Sequence, residues 1–80
     1  MQVHIYSLKN TLFEGEAIEV NCKTLNGEIT ILDHHRPLIS LLQAGPIKVV
    51  DAQKQEHYFS ITAGFLEVQP GNQARLIVEE

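Results

Sequence analysis

The stretch from Leu25 to Leu42 constrains the fold of this chain more than any other. It opens with Asn26-Gly27, the dipeptide that most readily takes positive φ at both central positions of a two-residue hairpin turn. Glu28-Ile29-Thr30-Ile31 then alternates polar with apolar, the period of a strand with one face buried and one wet. A polar knot follows, Asp33-His34-His35-Arg36, closed by Pro37. The proline fixes its own φ, lacks an N–H and pushes Arg36 out of the helical region. Leu38-Ile39-Ser40-Leu41-Leu42 then returns to the core. Strand, rigid charged corner and returning strand make a structured loop on a β scaffold, a common place for function.

The remaining sequence repeats this logic. Gln2 to Ser7 reads as a first strand, Leu12-Phe13 as an apolar pair at a sheet end, and Glu14-Gly15 as a turn. From Ala17 to Lys23 the alternation is clearest, with Ile18, Val20 and Cys22 on the apolar parity. Cys22, the only cysteine, therefore reads as a buried thiol acting as a small hydrophobe. Gln43 to Pro46 is a turn, Ile47 to Val50 a strand, Asp51 to Glu56 a polar hairpin tip and His57 to Ala63 a further strand. Gly64 marks a bulge or a close backbone approach. Gln69-Pro70-Gly71-Asn72 has proline and glycine where a type II turn needs them. In the last strand Ala74, Leu76 and Val78 share one parity. Short strands with turn signals about every 8–12 residues, and no 3.6-residue stripe, predict an all-β fold. The expectation is one small antiparallel β-sandwich or barrel over residues 1–80, with about 8–10 strands.

Composition narrows the function classes. A formal net charge of −4 argues against a sequence-independent grip on nucleic-acid phosphates. No window approaches the roughly 20 apolar residues of a membrane span. The start, Met1-Gln2-Val3-His4, lacks the basic and long apolar regions of a signal peptide. A single cysteine forms no internal disulfide and fits an intracellular setting.

The residues that could carry chemistry are scattered. His34 and His35 are sequential and face opposite ways on an extended chain, while His4 and His57 belong to other strands, so three or four convergent metal ligands are not expected. Ser7, Ser40 and Ser60 lack a glycine-framed elbow, and Cys22 lacks a basic neighbour. The five glycines stand singly at turns and form no phosphate loop. No catalytic residue, metal or cofactor is therefore expected. Lys54, at a hairpin tip, suggests a biotinyl or lipoyl carrier module, but its neighbours Gln53 and Gln55 match neither pattern.

Three segments together resemble the N-terminal β-sandwich of the epsilon subunit of F-type ATP synthases, called delta in mitochondria. They are Leu12-Phe13-Glu14-Gly15, then Gly27 to Leu32 with His35 and Pro37-Leu38, then Gly64 to Asn72. Their order and spacing follow the family over nearly the whole chain. Departures fall at Thr30, His34 and Ala63, where the family has glycine, and at Asp33, where it has proline. Asp33 to Arg36 also imitates the family's Leu-Asp-x-x-Arg nucleotide motif, but in the sandwich loop, with Pro37 in place of alanine. Family members continue into a C-terminal helical hairpin, which would begin where this sequence stops, at Glu79-Glu80.

The resemblance implies a non-catalytic central-stalk subunit that bridges the gamma shaft and the c-ring and couples proton flow to ATP synthesis. It implies a peripheral location on the cytoplasmic face of a bacterial plasma membrane. Residue by residue, it puts Glu28 and His35 at the c-ring interface and Ser7 at the gamma interface. A small β carrier or ligand-binding module centred on Lys54 is the alternative.

Overall fold

The computed structural model describes residues 1–80 and contains eight strands and no helix. These are β1 (Gln2–Tyr6), β2 (Thr11–Thr24), β3 (Gly27–Leu32), β4 (Leu38–Leu42), β5 (Gly45–Asp51), β6 (Glu56–Ile61), β7 (Ala63–Gln69) and β8 (Gln73–Glu79). The strands form two layers. One runs β1-β8-β7-β4, and the other is β2 flanked by β3 and β5, with β6 beyond β5. All pairings are antiparallel except β1 with β8.

Strand β2 joins the layers. Its first residues pair with β1, from Thr11 to Glu16. Its last pair with β3, from Glu19 to Thr24. Thr24 also reaches Leu42 of β4, so one 14-residue strand serves both layers. The expected turn at Glu14-Gly15 is absent. Gly15 has φ +156, a conformation that glycine adopts readily and other residues rarely do, and β2 continues through it.

The core lies between the layers. Val3, Ile5, Val20, Ile31, Ile47, Val49, Leu66 and Leu76 are all almost completely buried. Ala74, Leu76 and Val78 share the buried side of β8, as their parity predicts. The parity of β2 fails at one place. Ala17 is buried at 1% exposure whereas Ile18 is exposed at 39%. Between Ala17 and Glu19 the pairing with β5 slips, because Ala17 faces Asp51 and Glu19 faces Val50. The extra residue of this bulge turns Ile18 outward.

Gly64 is a close-approach glycine. A Cβ there would sit 3.1 Å from the Ile77 carbonyl oxygen and 3.1 Å from Val78 Cγ1. The type II turn also forms, with Gly71 at φ +87.

Cys22 is buried at 1% exposure, and burial pushes its thiol up to about 11. Only thiolate is nucleophilic. The folded chain is therefore expected to resist an aromatic disulfide reagent at pH 8 and to react fully once denatured. Rapid modification of the native chain would contradict the packing described here.

The β5–β6 tip is tied by Asp51. Its Oδ1 accepts the N–H groups of Gln53 and Gln55, both at 2.9 Å, and its Oδ2 lies 2.8 Å from His57 Nε2. A carboxylate only accepts, so His57 is the donor. Its imidazole stands edge-on to Phe13, with centroids 5.4 Å apart. The His57 hydrogen bond, and then those from the backbone, hold the Asp51 carboxyl below the usual carboxylate range. A folded-state depression of this kind stabilises the fold at pH values above the ordinary carboxylate range. That contribution disappears as pH falls through the lowered value. Asp51→Asn is therefore expected to lower the melting temperature at neutral pH and to flatten its decline in acid. A melting curve against pH that superimposes on that of the parent chain would refute this.

Candidate functional site

The two outer faces of the sandwich differ in chemistry. On the β3-β2-β5-β6 face the exposed positions are largely polar. Asn21 Nδ2 donates to Glu28 Oε2 at 3.0 Å and to Thr30 Oγ1 at 2.9 Å. Lys48 Nζ lies 3.3 Å from Glu19 Oε2, and that contact raises the Lys48 ammonium above its ordinary value. Tyr58 donates its hydroxyl to Glu56 at 2.7 Å.

The β1-β8-β7-β4 face is apolar along one line. Register pairs Leu41 with Phe65, Phe65 with Ile77 and Ile77 with Tyr6. Four strands thus contribute a continuous apolar row whose side chains point away from the core. Leu41 is 54%, Phe65 37% and Ile77 40% exposed. The adjacent row runs Ile39, Glu67, Arg75, His4 in the same registers. There Arg75 Nη2 donates to Glu67 Oε1 at 2.6 Å, and Ile39 is 66% exposed. Exposed apolar side chains that adjoin across four strands mark an interaction surface more strongly than isolated ones.

Ser7 immediately follows the Tyr6 end of the row. Its Oγ accepts the N–H groups of Lys9 and Asn10, both at 3.2 Å, and its own N–H donates to the Asn10 carbonyl at 2.8 Å. The serine thus shapes the β1–β2 turn, from which Leu8 projects fully into solvent.

Glu28 and His35 do not meet at one tip. Glu28 pairs with Lys23 near the start of β3, whereas His35 lies beyond its far end, past Leu32, which pairs with Glu19. The strand between Glu28 and Leu32 alone separates them by about 13 Å, at about 3.3 Å per residue. Both belong to the strand and loop on the side of β2 away from β5, and β3 has no second strand partner. His35 N–H donates to the Leu32 carbonyl at 3.2 Å, and its Nδ1 lies 2.7 Å from the Arg36 carbonyl oxygen.

No group of three or more histidine, cysteine or acidic side chains converges as a metal site. His4 neighbours Glu14 and Tyr6, while His57 is committed to Asp51. Lys54 occupies the β5–β6 tip at φ +66, its N–H donating to the Asp51 carbonyl at 2.9 Å. No helix is long and apolar enough to cross a membrane.

The sequence reading missed the apolar row, although a signal was present. Leu38-Ile39-Ser40-Leu41-Leu42 is apolar on both parities, and only one side of β4 packs into the core.

Comparison with known proteins places this architecture. The family model described as "ATP synthase, Delta/Epsilon chain, beta-sandwich domain" matches residues 1–80. The ATP synthase epsilon chain of Acinetobacter baumannii strain SDF is 40% identical over 70 residues, covering 88% of this chain and 50% of that one. The epsilon chain of Bordetella petrii is 41% identical over 71 residues, covering 89% and 50%. The chain thus spans about half the length of these curated relatives. Among solved structures, a chain of the Tetrahymena thermophila mitochondrial ATP synthase central stalk and c-ring superposes with a TM-score of 0.85 at 18% identity. It covers 100% of this chain and 63% of that one. A chain of the Euglena gracilis mitochondrial ATP synthase gives 0.89 at 18% identity, covering 98% and 49%. These two likenesses show the fold. The full-length family match and relatives near 40% identity establish that the chain belongs to the delta/epsilon family of ATP synthase β-sandwich domains.

Proposed function

We propose that the chain is a non-catalytic central-stalk subunit of a proton-translocating F-type ATP synthase. It bridges the gamma shaft and the c-ring and couples proton flow to ATP synthesis. It does so as a peripheral component on the cytoplasmic face of a bacterial plasma membrane. The observation that carries the reading is the two-faced sandwich in a chain whose family match spans all 80 residues.

The apolar row from Leu41 to Tyr6 suits a packed protein partner, and Ser7 lies at its end. This face is therefore assigned to gamma. The polar strand and loop carrying Glu28 and His35 suit the polar loops of the c-ring. A partner on each side lets rotation of the ring reach the shaft through this domain. The whole-length match favours this reading over a carrier module centred on Lys54.

Titration against the cognate gamma subunit by calorimetry tests the proposal. A 1:1 complex is expected, and no heat or co-elution from a demonstrably folded chain would overturn it. At the other surface, Glu28→Lys reverses an exposed charge and removes the acceptor of Asn21. It should weaken capture of the chain–gamma complex by detergent-solubilised c-ring on the order of tenfold, since exposed charges act mainly through association. The melting temperature should scarcely change. Full capture by the ring would remove Glu28 from that interface.

A further inference from the structure

The β3–β4 loop is held by a residue from the opposite layer. His34 stands at φ +61, a left-handed conformation that is costly for a residue with a Cβ. Its N–H donates to Asn72 Oδ1 at 2.7 Å. Asn72 Nδ2 in turn donates to Asp33 Oδ1 at 3.3 Å. The Asn72 carbonyl accepts the N–H of Gln2 at 3.0 Å. One amide side chain thus reaches two consecutive residues of the loop, sharing Asp33 Oδ1 with the Met1 ammonium, while its backbone anchors the start of β1. Asn72 is itself left-handed, at φ +60 directly after Gly71.

We infer that Asn72 is the positioning residue of the Asp33–Arg36 loop, holding His34 in its left-handed conformation and so fixing how His35 and Arg36 are displayed. Three demands meet at position 72: tolerance of positive φ, an acceptor aimed at the His34 N–H, and a donor aimed at Asp33. Asparagine supplies all three. Glycine supplies only the first, and aspartate the first two. A histidine at position 34 makes the clamp matter, because glycine there would take the same φ without help. The consequence for docking rests on the proposed c-ring role of this loop, whereas the clamp does not.

The test compares Asn72→Gly and the Asn72→Asp/Asp33→Asn pair with the parent chain. The readouts are site-resolved amide exchange, melting temperature and capture of the chain–gamma complex by the c-ring. In Asn72→Gly the His34 N–H should exchange about tenfold faster, the loss expected for one hydrogen bond. The β7–β8 ladder should stay protected, because glycine keeps the turn. Asn72→Asp keeps the acceptor but faces the Asp33 carboxylate, so it is made together with Asp33→Asn, and that pair should retain most of the His34 protection through its accepting oxygen. Unchanged His34 exchange in Asn72→Gly would overturn the clamp, as would equal loss in Asn72→Gly and in the Asn72→Asp/Asp33→Asn pair. Faster exchange confined to the loop with full ring capture would uphold the clamp and sink the docking role of the loop.

Discussion

Leu41→Asp should weaken binding to gamma on the order of a hundredfold, the cost of replacing an apolar anchor of a well-packed interface with a charge. Leu41 is 54% exposed and begins the row that continues through Phe65 and Ile77 to Tyr6. A carboxylate there would have to be desolvated against apolar neighbours on binding. In the unbound chain the same carboxylate stays in water, so the melting temperature should move by only a few degrees. The control is Tyr58→Asp. Tyr58 is 61% exposed on the polar face, and its loss should leave gamma binding within a few-fold of the parent. Calorimetry on both variants decides the matter. Equal affinities for the two would detach the apolar row from gamma.

The second large effect belongs to the core. Leu76 is completely buried, at 0% exposure, in the strand that pairs on one side with β1 and on the other with β7. Its direct register partners Ile5 and Leu66 are also at 0%. Leu76→Ala removes side-chain volume from a site closed on all sides, and such changes cost about 2–5 kcal/mol. Total stability for a domain of this size is about 4–12 kcal/mol. The loss is thus a large fraction of the whole. Thermal unfolding should shift down by roughly 10–25 °C. A shift below about 5 °C would show that the core collapses around the gap far more readily than a close-packed interior should.

These two predictions draw on features of unequal legibility. Core positions such as Val20, Cys22, Ala74, Leu76 and Val78 follow from period-2 alternation, because burial on one side of a strand imposes it. Gln69 to Asn72 was legible as a turn because proline fixes φ at its first central position and glycine permits the positive φ that its second requires. Two local readings failed for one physical reason. Ile18 and the Glu14-Gly15 pair lie where β2 crosses from one layer to the other, and strand pairing from several partners overrode local preference there. A bulge cannot be read from parity, since it is parity that it breaks.

The candidate surfaces were legible in the opposite sense. Glu28, His35 and Ser7 came from a family resemblance, with no local signal of contact. The apolar row came from register, which assembles residues from β1, β4, β7 and β8 that no short motif contains. The Asn72 clamp spans 38 residues. Sequence showed an asparagine after a glycine, which explains its φ but not what its amide reaches.

The shared strand has a mechanical consequence. In a sandwich of two independent sheets, a sideways load on one face reaches the other only through side chains that can slide across the core. Here β2 is hydrogen-bonded to β1 at one end and to β3 and β5 at the other. A force entering at the apolar row passes along β8 and β1 into β2, then into the strand that carries Glu28. Every junction on that route is a ladder of backbone hydrogen bonds loaded together in shear. A twist imposed on one surface therefore arrives at the other with little lost to internal slip.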